Sequence, residues 1–196
     1  ILVVWSVGMS ALALWYIAVL LRFRRRLSKK QTQPVCGELQ RIANHCASEY
    51  GIRQIPILRV SPYVQSPVMI GFFKPIIAVP ADGLPPADIQ MILKHELVHF
   101  KRRDLWWKLL GVVIQTIHWV NPIVWLLCKD FEFYAETSCD AQVVQNLDHE
   151  ERKHYGYLLI SYSKFQHKLN STPGISFTSS REKLKRRICI MLNGNK

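Results

Sequence analysis

The chain has 196 residues, 49% of them apolar, and its 26 Lys+Arg against 14 Asp+Glu give a formal net charge of +12. That is enough chain to bury a core, and the composition excludes a disordered segment, a collagen and a disulfide-dense mini-protein. A chain both apolar and basic points to nucleic acid or a membrane surface as partner, and the placement of the charges decides between them.

Residues 1–21 carry no charge and are almost wholly apolar; as a helix they reach about 30 Å, the thickness of bilayer hydrocarbon. Arg22, Arg24, Arg25, Arg26, Lys29 and Lys30 follow at once. A secretory signal has the opposite order, charges first and cleavage site last. The segment therefore reads as a retained transmembrane helix at 1–21 with its C-terminal side cytoplasmic, followed by a basic juxtamembrane linker at 22–34. With no Met ahead of Ile1, the chain reads as a piece preceded by earlier spans. A second basic run, Arg181, Lys183, Lys185, Arg186 and Arg187, reads as a solvated helix face or a lipid-headgroup contact, and nucleic acid is discounted. The five cysteines (Cys36, Cys46, Cys128, Cys139, Cys189) form no C-x-x-C pair and read as reduced, mostly buried thiols.

Residues 35–196 read as one domain. Leu39, Ile42, Ala43 and Cys46 have helical spacing within 35–50, closed by Gly51 as C-cap. Short β-prone runs follow at 55–60, 68–70 and 76–79, punctuated by Pro56, Pro62, Pro67, Pro75 and Pro80, which favours edge strands. Pro85-Pro86 then opens a helix over about 87–103, apolar nearly all round and therefore buried.

Inside that helix stands His95-Glu96-Leu97-Val98-His99, an H-E-x-x-H motif. Residues four apart share a helix face, so both imidazoles present themselves to one Zn²⁺, with Glu96 placed to act on a water. Burying these polar groups on an apolar helix without a metal would cost several kcal/mol. A third ligand is required, and Glu136-Thr137-Ser138-Cys139-Asp140 offers Glu136, with Asp140 one turn on to orient a ligand histidine. Glu132 is the rival carboxylate; His118 stands in the apolar stretch and reads as packing there.

Three pieces of sequence resemble a known family: His95 to Asp104 (H-E-L-V-H-F-K-R-R-D), Trp119-Val120-Asn121-Pro122, and Glu136 to Asp140. Together with Gly71-Phe72-Phe73-Lys74-Pro75 they look like the BlaR/MecR-type antirepressor metallopeptidases, the transducing half of bacterial β-lactam sensors, from about residue 24 onward. Heat-shock and prenyl-processing membrane proteases share H-E-x-x-H and E-x-x-x-D but lack the K-R-R-D and W-x-N-P pieces. The resemblance implies an α+β, mostly helical, membrane-anchored gluzincin-like zinc metallopeptidase with a small sheet before the H-E-x-x-H helix. It implies one Zn²⁺ held by His95, His99 and Glu136, with Glu96 as general base. It also implies a site on the cytoplasmic side of a bacterial membrane, and cleavage of a repressor-like protein or of the chain itself. The β-lactam-binding sensor domain of that family is not recognised in these residues, which leaves the signal unassigned. The class-different alternative is a non-catalytic membrane scaffold or relay with a structural zinc site, distinguished by closed rather than open coordination.

Three further expectations follow. Residues 105–127 are apolar, yet a straight helix from His99 to Glu136 would extend about 55 Å, so the chain must turn back, with Asn121-Pro122 as the break, in a membrane-associated hairpin. An extended polypeptide substrate pairs with an exposed strand edge, for which Val68, Ile70 and Ile77 are the candidates. The polar, turn-rich stretch 170–180 between two helical patterns is a self-cleavage loop, with Ile175, Ser176 and Phe177 at its centre. The partners expected are the bilayer, a polypeptide and a second copy of the chain.

Overall fold

A computed structural model describes residues 2–28, 35, 37–62, 64, 67–81, 85–169 and 180–193. Lys29, Lys30, Cys36 and the loop residues Ile175, Ser176 and Phe177 lie outside them. The elements run α1 (Leu2–Ser28), α2 (Gly37–Glu49), β1 (Ile57–Ser61), β2 (Val68–Ile70), β3 (Ile76–Pro80), α3 (Pro86–Arg102), α4 (Asp104–Ile117), α5 (Pro122–Val144), α6 (His149–Leu169) and α7 (Ser180–Asn193). The protein is mostly helical with one small three-stranded sheet.

Gly51 ends α2 as the spacing requires. Its φ is +67°, and Gly51 N and Ile52 N donate to Ser48 O and Ala47 O at 3.0 and 2.9 Å, satisfying carbonyls the helix end would orphan. The sheet order is β1-β3-β2, with β1 parallel and β2 antiparallel to β3. β3 is therefore central, flanked on both sides, and Ile77 at its middle is 0% exposed. This corrects the placement of Ile77 at a substrate-binding edge: it is core. Among the described residues the free edge on the antiparallel side belongs to β2, which carries Val68 and Ile70.

Helix α3 is apolar nearly all round because it stands between two cores. On one side Leu93 and Leu97 pack with Leu39, Ala43 and Cys46 of α2 and with Leu58, Ile77 and Val79 of the sheet. On the other, Val98 meets Cys139, Val143 and Val144 of α5, Tyr155 of α6 and Met191 of α7. Burial from both sides fixes its axial position, which the site then uses.

After α3 the chain bends at Arg103, whose φ and ψ of 58° and 35° are left-handed. A non-glycine residue adopts this at a cost of about 1–2 kcal/mol. Helix α4 then runs out and α5 runs back, reversing at residues 118–121, where the Asn121 side chain caps α5 by accepting from Ile123 N at 3.0 Å. Cys128 opposite Gly111 and Glu136 opposite Lys108 mark the antiparallel pairing. Trp5 Nε1 of α1 donates to Ile117 O at 3.1 Å. Gly8 lies so close to Trp119 that a Cβ there would stand 2.3 Å from its Cζ2. Helix α1 is long and apolar enough to cross a membrane, and over Leu2–Arg22 none of it is buried.

Candidate metal centre

One turn of α3 and one turn of α5 face each other. His95 Nε2 and His99 Nε2 stand 3.1 Å apart, and Glu136 closes the triangle, Oε2 at 3.5 Å from His95 Nε2 and Oε1 at 3.6 Å from His99 Nε2. Tetrahedral bonds of about 2.0–2.1 Å, the lengths of Zn–N and Zn–O bonds, put neighbouring ligand atoms about 3.3–3.4 Å apart. The two imidazole nitrogens, and the different carboxylate oxygen that each one faces, lie close to that spacing, so the three side chains suit one zinc ion.

Each imidazole is braced through its other nitrogen, which leaves the Nε2 lone pairs for the metal. His99 Nδ1 donates to Asp104 Oδ2 at 2.7 Å. Asp104 reaches it because the left-handed turn at Arg103 folds the first residue of α4 back onto α3. Arg102 Nε holds the other oxygen of Asp104 at 3.3 Å. His95 Nδ1 is 2.8 Å from the hydroxyl of Tyr155, which itself donates to Asp140 Oδ1 at 2.9 Å. Asp140 thus reaches His95 through Tyr155, its own oxygen lying 3.5 Å from the ring.

Asp140 is 1% exposed and is gripped by Arg187 of α7, Nε to Oδ2 at 2.7 Å and Nη2 to Oδ1 at 2.9 Å. A third guanidinium nitrogen, Nη1, lies 3.4 Å from Glu136 Oε2. The basic run on α7 is therefore not simply a solvated or lipid-facing surface. Arg187 turns inward, Arg186 lies 4.8 Å over the Phe133 ring, and Lys183 donates to Lys129 O.

Cys139, read from the sequence only as a buried thiol, lies at the site. It is one turn from Glu136 on α5, fully buried, and with His95 and His99 forms a group able to hold a metal. Its Sγ lies 3.4 Å from His95 Nδ1 and donates to His95 O at 3.4 Å. The thiol also hydrogen-bonds His99, so it stands against both imidazoles. Glu132 is exposed in the groove between α4 and α5, and His118 sits at the hairpin tip, so neither joins the triangle.

The electrostatics match the geometry. Burial raises a carboxylate pKa, yet hydrogen bonds from His95 and His99 hold Glu136 well below the usual range, so it stays anionic. Burial pulls imidazoles down, but Cys139 and Glu136 overcome it at His95, and Asp104 leads the groups that overcome it at His99; both are raised. Glu96, next along α3, is raised by burial, only partly offset by the imidazoles. A carboxylate with raised pKa beside a metal triangle is equipped to take and return a proton.

Asp104, Tyr155, Arg187 and Cys139 are the participants that sequence reasoning missed. Asp104 closes the K-R-R-D piece and Cys139 lies inside the E-x-x-x-D stretch, so a local signal existed for both. Tyr155 and Arg187, 15 and 47 positions from Asp140, reach it only through the fold.

A family model described as "BlaR1 peptidase M56" matches residues 1–191. The chain is 31% identical over 194 residues to "Regulatory protein BlaR1" of Bacillus licheniformis, covering 97% of this chain and 32% of that one. It is 28% identical over 173 residues to "Methicillin resistance mecR1 protein" of Staphylococcus aureus, covering 85% and 29% respectively. The same figures hold for the protein of that name in Staphylococcus epidermidis. The chain thus spans about a third of the length of these curated relatives.

Proposed function

This chain belongs to the BlaR1 peptidase M56 family, and on that footing we propose that it is the zinc endopeptidase part of a bacterial membrane signal transducer. Its substrates are a repressor-like protein and its own loop at 170–180. The relatives' names, one a regulator and the other tied to methicillin resistance, support a place in β-lactam sensing. The observation that carries the proposal is the triangle of His95 Nε2, His99 Nε2 and the Glu136 carboxylate, at 3.1, 3.5 and 3.6 Å.

Zinc held by these three residues supplies Lewis acidity that polarises a peptide carbonyl and lowers the pKa of a water. The chain's own groups do the rest. Glu96 takes a proton from the attacking water and returns it to the leaving amine. Asp104 and the Tyr155–Asp140–Arg187 chain hold the imidazoles in the tautomer that leaves Nε2 free. The free edge of β2, with Val68 and Ile70, pairs with an extended substrate; β2 packs on α3, which supports that role. Cleavage by wild type and none by Glu96→Gln at equal zinc content is the test.

Cys139 is the observation that favours the second reading, a closed structural zinc site without catalysis. If it were a fourth ligand, Cys139→Ser would release zinc; under the peptidase proposal zinc is retained.

For topology, we propose that α1 spans the membrane and that the α4–α5 hairpin is embedded in it, with the site on the cytoplasmic side. The exposed Trp107, Leu110, Ile114, Leu126 and Leu127 on the hairpin support this. Cysteine labelling at positions 101 and 141 should find both on one face; opposite faces would overturn it.

A further inference from the structure

The β2–β3 turn and the α3–α4 junction meet around a cleft of about 740 Å³. Four basic residues line it, Arg53, Lys74, Lys101 and Arg103, and no acidic one does. Their side chains have no ion-pair or hydrogen-bond partner among the described residues. Four unneutralised cations around one concavity make a surface complementary to an anion.

The rim is aromatic. Phe73 is 88% exposed at the tip of the turn, edge-on to Trp106 with ring centroids 5.4 Å apart, and Phe72 lies 5.8 Å from the same ring. The turn is built to present them. Gly71 has a φ of +92°, and a Cβ there would stand 2.8 Å from Lys74 O, so only glycine fits. Trp106 stands on α4, and Leu110, Val113 and Ile117, which follow it at helical spacing, are exposed too. Aromatic rings and cations at the end of an apolar helix are the pattern of a membrane–water interface. An acidic peptide would satisfy the cations but would leave this apolar continuity unused.

We infer that the cleft is a binding site for the headgroup of an anionic phospholipid, with Phe72 and Phe73 inserted among the acyl chains. The site rests on the hairpin's placement in the membrane proposed above. Its consequence is positional: Lys101 and Arg103 lie two and four residues after His99, so a headgroup held there sets the depth of α3 at the cytoplasmic surface.

The test uses the full chain in nanodiscs of phosphatidylcholine with and without phosphatidylglycerol. Phe73→p-benzoylphenylalanine provides one photo-crosslinking probe and Leu126→p-benzoylphenylalanine, on the hairpin, a second, with adducts identified by mass. The Phe73 probe should capture phosphatidylglycerol in preference to phosphatidylcholine. The added changes Lys74→Gln, Lys101→Gln and Arg103→Gln should lower that capture at least about tenfold, each cation near an anionic surface being worth roughly fivefold. The Leu126 probe should capture both lipids and be unmoved by the charge changes. Lipid at Leu126 with none at Phe73 would overturn this site and leave the hairpin's placement standing. Equal capture of both lipids at Phe73, unmoved by the charge changes, would overturn the anionic headgroup. A polypeptide adduct at Phe73 would overturn it in favour of a protein partner. No lipid at either probe would overturn the membrane placement and the site together.

Discussion

Replacing Arg187 by Met tests how much of the site hangs on α7. The change removes two charge-assisted hydrogen bonds of 2.7 and 2.9 Å and leaves the Asp140 carboxylate, 1% exposed, bonded to Tyr155 without its counter-ion. Removing one partner of a buried ion pair costs about 3–5 kcal/mol. The Arg187 side chain keeps 15% exposure, so water screens part of the loss and the lower end, ~3 kcal/mol, applies. In a domain of this size each kcal/mol moves the thermal midpoint by about 2–4 °C, so Arg187→Met should unfold roughly 6–12 °C below wild type. Arg187→Lys keeps the charge but not the fork, and should fall between the two. The assay is thermal unfolding of the detergent-purified chain by tryptophan fluorescence, with zinc content measured in parallel. Because Asp140 braces His95 through Tyr155, zinc affinity should also fall about 10–100-fold. A midpoint within about 2 °C of wild type, with zinc retained, would refute the reasoning and return Arg187 to the solvated face.

Asp104→Asn removes the charged acceptor of the His99 Nδ1 proton and should weaken zinc binding about 10–100-fold while the fold persists, as competition with a chromogenic chelator would read. In the metal-free protein the site's pH dependence has a definite sign. The folded-state pKa of His95 is raised to about 10: burial opposes the shift, and Cys139 and Glu136 outweigh it. That contribution to stability is complete below the ordinary histidine value and is lost as pH rises through about 10. Binding a metal through the two Nε2 atoms, 3.1 Å apart, requires both rings to give up a proton there, so zinc affinity should rise by about tenfold or more per pH unit from neutral upward; a flat profile would contradict that competition. Gly8→Leu puts a side chain where Trp119 Cζ2 would be 2.3 Å from Cβ, and should separate α1 from the hairpin tip, read as changed Trp119 emission against a single-tryptophan background.

The H-E-x-x-H turn and Glu136 could be read from the chain because helical periodicity alone places two side chains on one face. A second helix carrying a carboxylate was then the remaining need of the metal. The strand order could not be read in the same way. Proline spacing marked β3 as an edge, whereas Pro75 precedes the strand and Pro80 is its last residue, which leaves its interior free to pair on both sides. Ile77 consequently went to the wrong environment. Arg187 was misread for a related reason. In a run of five cations nothing local says which one faces inward, and only the docking of α7 on α5 selects it. Tyr155 belongs to none of the motifs, and its hydroxyl acquires meaning only between His95 and Asp140.

Zinc analysis and proteolysis measured together on wild type and Glu96→Gln test the central claim most directly. One zinc per chain in both proteins, with cleavage of the repressor-like substrate or of the 170–180 loop in wild type alone, is the predicted result. Cleavage that persists in Glu96→Gln, or wild type that cleaves without zinc, would contradict it.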